Sequence, residues 1–260
     1  NNSAIDLFEN ITINEWHNRC KKKIGIKGLK PILISGKDLV LVFDCNSILH
    51  FAQIPKNIRP IIQPGNQLQI TWSSRLEYSL GEFKVELVKS RFHLISRNKE
   101  KIHLLNLVCT FCSAYLPERD SMNNLYQRTI NLLDSEKELL LNLLGYIKWE
   151  MTLLKDLGFG LDLRKCVVTG SSDCLYFVSP KSGCAVSQQA AKGWEDRLLS
   201  LPGFLRNKDE EGNVSKKGIE DGLLLTGYFL KKWLSPVKNY NSEPLFHSRD
   251  RLIDYLRSNL

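Results

Sequence analysis

Leu157-Gly158-Phe159-Gly160-Leu161-Asp162-Leu163-Arg164-Lys165-Cys166, continued through Thr169-Gly170 to Val178-Ser179-Pro180-Lys181-Ser182-Gly183 and Ala185-Val186-Ser187, decides how this chain is read. It has the outline of a zinc knuckle with half its ligands replaced. A four-thiolate knuckle needs two C-x-x-C turns held apart by a short β-like excursion, because tetrahedral zinc takes two ligands from each turn. Here the turns read Cys166-x-x-Thr169 and Cys184-x-x-Ser187, so hydroxyls stand where two thiolates are required. An uncharged hydroxyl is a poor ligand for a borderline-soft ion. Cys174 adds a third thiol, but no fourth donor can be placed. Cys166, Cys174 and Cys184 are therefore expected to be the remnant of a metal site, with no cofactor bound and the knuckle held by packing and hydrogen bonds.

On the N-terminal side of the knuckle the apolar period is close to 3.6. Leu104, Leu105, Val108, Phe111, Cys112 and Tyr115 make one helical stripe that ends before Pro117, and Leu125, Ile130, Leu132 and Leu133 suggest a second helix. Ser135-x-x-Glu138 reads as a capping box opening a third, which runs through Leu139, Leu143, Leu144, Ile147, Met151 and Leu154 and stops at Gly158. Beyond the knuckle, Trp194 to Leu201 is expected to form a short helix closed by Pro202-Gly203. Arg206 to Lys217 reads as a polar loop, Ile219 to Trp233 as an apolar helical stripe, and Leu252 to Leu256 as a last amphipathic segment.

Before Phe92 the period is two. Leu68, Ile70 and Trp72 alternate with Gln67, Gln69 and Thr71, and Phe83, Val85 and Leu87 with Lys84 and Glu86, as two half-buried strands of a hairpin would; Leu76, Tyr78 and Leu80 are read as continuing the first. Pro31 to Ile34 and Leu39 to Phe43 are short apolar runs suited to buried strands. The fold class is α+β. An N-terminal OB-type β-barrel over residues 1–92, its first 58 or so atypical, precedes a helical domain over 93–260 with the degenerate knuckle embedded at about 164–190.

The formal net charge of +8 and a pI near 9.1 favour polyanionic partners. Arg19, Lys21, Lys22, Lys23, Lys27, Lys30 and Lys37 follow one another with no acidic residue between Arg19 and Lys37; a solvated charge run is the bland reading and a phosphate-tracking groove the functional one. Arg19, Lys21, Lys22, Lys23, Lys27, Arg59 and Arg75 are the expected DNA contacts. Trp72 either stacks on bases or points into the barrel. In the helical half, Arg119, Leu125, Arg128 and Leu132 are expected to rim a groove for an acidic, apolar-tipped peptide, against the plainer reading of amphipathic packing.

Catalytic signatures are missing from the sequence. The histidines at 17, 50, 93, 103 and 247 have no metal-ligand spacing, there is no G-x-S-x-G, P-loop or G-x-G-x-x-G motif, and Gly158-Phe159-Gly160 leaves a helix rather than opening one. Cys184 with distant His247, and Glu118 with Asp120, are more simply an inert thiol and a solvated turn. No catalytic residue is expected. Seven irregularly spaced cysteines do not make a disulfide framework, and neither a membrane-length apolar run nor a signal peptide is present, so the expected location is the cytoplasm.

Several blocks in consistent order resemble the bacterial RecO family of DNA repair proteins. They are Arg59-Pro60 to Gly65-Asn66, Trp72 with Arg75-Leu76, Leu116-Pro117-Glu118-Arg119-Asp120, Leu157 to Leu163, Tyr176 to Ser187, Asp196 to Pro202 with Phe204-Leu205, and Gly222-Leu223 with Leu225 to Leu230. The resemblance runs from about Arg59 to the C-terminus. Residues 1 to about 58 depart from the family pattern of a short strand, a glycine-centred turn and further alternating strands, and a truncated or altered start would account for that.

The resemblance implies an OB-fold, a helical domain and a zinc-finger-like knuckle whose cysteines are eroded in some members. It also implies a non-enzymatic role: binding single- and double-stranded DNA, annealing strands, and acting with RecR to load RecA on DNA coated by single-stranded DNA-binding protein, whose acidic C-terminal tail docks on the helical domain. The expected function is thus a recombination mediator in DNA repair; the alternative is a helical protein–protein adaptor without DNA binding of its own.

Overall fold

The computed structural model describes residues 25–35, 39–43, 49–53, 60–61, 63–73, 82–116, 122–206, 214–235 and 243–259. The chain is a mixed helix and sheet protein that divides into two compact units, residues 1–126 and 127–260.

In the first unit the strands are β1 (Gly25–Ser35), β2 (Leu39–Phe43), β3 (Leu49–Gln53), β4 (Gln67–Ser73) and β5 (Glu82–Lys89). They pair in the order β1-β2-β3-β5-β4, and β4 pairs back to β1, so the ladder returns on itself. All contacts are antiparallel except β3 with β5, which is a single parallel pair, Gln53 with Glu82. The register of β4 against β5 is the hairpin read from alternation, with Trp72 opposite Phe83 and Ile70 opposite Val85. β3 was not anticipated, because Leu49-His50-Phe51-Ala52-Gln53 is too short to show a period; its register with β2 makes it a strand.

Two turns hold the helices of this unit to its sheet. Gly65 is left-handed at φ +82, where an added Cβ would stand 3.2 Å from Ile95. Next to it the buried Asn66 accepts the amides of Arg91 and Phe92 at 2.9 Å each through Oδ1 and donates through Nδ2 to the Ile61 carbonyl. That clamp starts the short helix α1 (Phe92–Ile95). Asn98 then caps α2 (Lys99–Tyr115) by accepting the Lys101 amide. The predicted stripe is the buried face of α2: Leu104, Leu105, Val108, Phe111, Cys112 and Tyr115 are all buried. Element type changes near residue 92, but the division into units falls later, since α2 packs with β1.

The second unit is built around α4 (Leu139–Asp156), which follows α3 (Asn123–Asp134). Tyr146, Trp149, Glu150 and Leu153 are buried along with Leu143, Leu144, Ile147 and Leu154, so α4 is covered on several sides, as its nearly continuous apolar sequence requires. Trp149 donates from Nε1 to the Thr129 hydroxyl of α3 at 2.8 Å. The expected capping box does not form. Glu138 is the N-cap without a side-chain bond, because the Ser135 hydroxyl bonds Oδ1 of Asn142 at 2.7 Å and Asn142 in turn donates to the Lys137 carbonyl. The other end closes as read: Gly158 at φ +87 donates to Lys155 O and Phe159 to Leu154 O, a Schellman pair.

The knuckle follows, with β6 (Leu175–Val178), β7 (Ala185–Ser187) and β8 (Leu199–Ser200) in the order β7-β6-β8, and the short helices α5 (Gln188–Ala191) and α6 (Gly203–Arg206). The helix expected from Trp194 to Leu201 is instead a 3-10 turn, Glu195–Arg197, leading into β8. Pairing of Leu199 with Val178 and of Ser200 with Phe177 holds that segment extended. Helices α7 (Lys216–Leu234) and α8 (Glu243–Asn259) complete the unit.

Candidate nucleic-acid interface

Of the expected DNA contacts, Arg19, Lys21, Lys22, Lys23, Arg59 and Arg75 lie outside the described residues. Lys27 is on β1, in the irregular stretch between Ile26 and Leu29 where the register against β4 shifts. Of the expected peptide groove, Arg119 lies outside the described residues, Arg128 is exposed on α3, and Leu125 and Leu132 are buried on the same helix. A ligand on the surface of α3 therefore meets Arg128 and not the two leucines.

The knuckle is built around one sulfur. Cys166 is buried, and its Sγ accepts the amide of Ser187 at 3.2 Å and that of Thr169 at 3.5 Å. Burial pushes this thiol up, but the hydrogen bonds from Ser187 and Thr169 outweigh it and bring the group down to about 6. Ser187, where the second turn would need a thiolate, turns its hydroxyl to the Ala190 amide and caps α5. Cys174 is exposed at φ +52, and Cys184 is half-buried with its Sγ toward the Ser182 carbonyl. Among the described residues no three His, Cys, Asp or Glu side chains converge as metal ligands, so the residues present do not fit a tetrahedral zinc site.

The knuckle is also tied to α7. Phe159 stacks on Trp233 with centroids 5.8 Å apart. Lys232 donates from Nζ to the Pro180 carbonyl and to the Lys181 carbonyl at 3.0 Å. Gly183, left-handed at φ +72, passes so close that a Cβ there would be 2.7 Å from the Trp233 ring and 2.8 Å from Leu161. Val167, Val168, Tyr176 and Trp194 of the knuckle are exposed.

The sequence did not reveal a buried ion pair in this unit. Glu150 on α4 is 0% exposed and Arg249 on α8 is 2% exposed. They form a bidentate pair, Nε to Oε1 at 2.7 Å and Nη2 to Oε2 at 2.9 Å. The Thr226 hydroxyl of α7 donates to Oε2, and Nη2 also donates to the Leu223 carbonyl at 2.6 Å. Burial works against the Arg249 cation, but the Glu150 carboxylate overrides it and holds the guanidinium above its usual range. Beside them Tyr146 is pushed up, first by burial and then by Glu150. Gly227 makes the room: a Cβ there would lie 2.5 Å from Arg249 Nη1. The one available signal was a lone acid within the apolar run of α4.

Comparison with known proteins agrees with the resemblance. The family described as "Recombination protein O C terminal" matches residues 98–239. Proteins named DNA repair protein RecO are similar over most of the chain. That of Cereibacter sphaeroides is 42% identical over 205 residues, 77% of this chain and 81% of its own. That of a Ruegeria species is 41% identical over 204 residues, with 77% and 81% covered, and that of Dinoroseobacter shibae 37% over 203, with 78% and 82%.

Proposed function

The chain belongs to the RecO family of DNA repair proteins, and on that premise we propose that it is a recombination mediator that holds DNA by its phosphates and performs no bond-making chemistry. The observation that carries the reading is the first unit: a strand ladder that returns on itself in the order β1-β2-β3-β5-β4, which suits an OB-type barrel, with Lys27 and Lys30 on its first strand. Arg19, Lys21, Lys22, Lys23, Arg59 and Arg75 add positive charge within the same unit of the sequence.

In this reading the protein captures single- and double-stranded DNA electrostatically, anneals complementary strands, and works with RecR to load RecA on DNA coated by single-stranded DNA-binding protein. The acidic tail of that protein docks on the helical unit, with Arg128 as its exposed cation. The knuckle holds without zinc, on the amide bonds to Cys166 and the packing on Trp233. Work on chromosomal DNA places the protein in the cytoplasm; no described helix is long and apolar enough to cross a membrane.

A fluorescence-anisotropy titration with a labelled single strand tests the reading. Affinity falls steeply between low and moderate salt if phosphates are the contact, and an affinity indifferent to salt would refute it.

A further inference from the structure

We propose that the knuckle carries a second, stacking contact for single-stranded DNA, formed by Tyr176 with Arg206 and by Trp194 with Arg197; the proposal rests on the DNA-binding reading above. Two large rings are left in water here, Tyr176 at 41% and Trp194 at 57% exposure, although each would gain from burial. Each has an arginine over it: the Arg206 guanidinium is 4.4 Å from the Tyr176 centroid, and that of Arg197 is 5.0 Å from the Trp194 centroid. An exposed ring beside a guanidinium is the combination that binds unpaired bases, the ring stacking on the base and the guanidinium adding a cation–π contact.

One ring is on a strand and the other in the turn that leads into the neighbouring strand, while Arg206 ends α6. Tyr176 is on β6, its carbonyl accepting the Leu201 amide at the end of β8, and Arg197 lies just before β8. The chain from Arg197 to Leu201 reaches no more than roughly 15 Å, a span of a few nucleotides. The sheet beneath is fixed by pairing with β7 and by the anchor on Trp233, so the rings stand on a rigid base.

Net charge is not the source of binding here. Glu195 and Asp196 share the turn with Arg197 and offset the two arginines. The contact therefore works through bases and is specific for single strands, whose bases are free, with little dependence on salt.

The test uses the full chain, labelled oligothymidine and a duplex of equal length. The double substitution Tyr176→Ala with Trp194→Ala is expected to weaken single-strand binding about ten-fold or more at every salt concentration, leave the slope against salt unchanged and spare the duplex. Tyr176→Phe with Trp194→Phe retains most of the affinity, and ultraviolet crosslinking to bromodeoxyuridine marks Tyr176 or Trp194. Parental affinity in the alanine variant, or an equal loss on both DNA forms, overturns the proposal alone. A parent chain that binds no single strand overturns it together with the DNA-binding reading.

Discussion

Arg249→Met removes the cation from a site where Glu150 has no access to water. The substitution deletes the bonds to Oε1 at 2.7 Å and Oε2 at 2.9 Å, and leaves the Leu223 carbonyl without the Nη2 donor at 2.6 Å. Leaving one charge of a buried pair without the other costs about 3–5 kcal/mol, a large part of the roughly 5–15 kcal/mol that holds a domain folded. The loss falls on α8, because Arg249 is the side chain that bonds that helix to α4 and α7 together. Urea unfolding measures the total, and amide exchange in α8 shows whether this helix is released first.

Glu150→Met with Arg249→Met should recover much of the loss, since an apolar pair of similar volume avoids burying charge altogether. A single variant within about 1 kcal/mol of the parent at neutral pH would refute the reasoning, as would a double variant no better than the single one.

Other outcomes follow from the same contacts. Cys166, drawn down to about 6 by the Ser187 and Thr169 amides against the burial that opposes them, contributes stability that is present above its unfolded value near 9 and lost as pH falls through 6; the protection factors of the β7 amides, taken relative to the intrinsic exchange rate at each pH, should rise from pH 6 to pH 9 in the parent and not in Cys166→Ser. Chelator treatment should leave the melting temperature unchanged and metal analysis should find zinc well below one per chain, with stoichiometric zinc counting against a metal-free knuckle. Asn66→Ala strands the amides of Arg91 and Phe92 and should cost about 1–3 kcal/mol, seen as faster exchange at the start of α1, whereas Asn66→Asp, which keeps the acceptor, should cost less.

Periodicity was enough where an element buries one face against a large neighbour. The stripe of α2, the antiparallel pairing of β4 with β5 and the stop at Gly158 are local patterns, each set by backbone geometry over a few residues, although Leu87, expected on the half-buried face of β5, is 43% exposed. The same reasoning failed where a contact across the fold overrode local preference. Ser135 has the spacing of a capping box with Glu138, yet Asn142 takes its hydroxyl; residues 199–200 lie in a helical pattern, yet β6 holds them extended.

By itself, then, the sequence determined a basic strand-built head, a helical body and a knuckle stripped of half its thiolates, because charge, period and ligand spacing are properties of neighbours along the chain. Tertiary structure alone decided that Glu150 meets Arg249 from 99 residues away, that Cys166 is gripped by the amide of Ser187, and that Leu125 faces inward while Tyr176 and Trp194 face out. Such pairings depend on which helix faces and strand edges are brought together, and burial then multiplies their strength by removing the water that would otherwise satisfy each group separately.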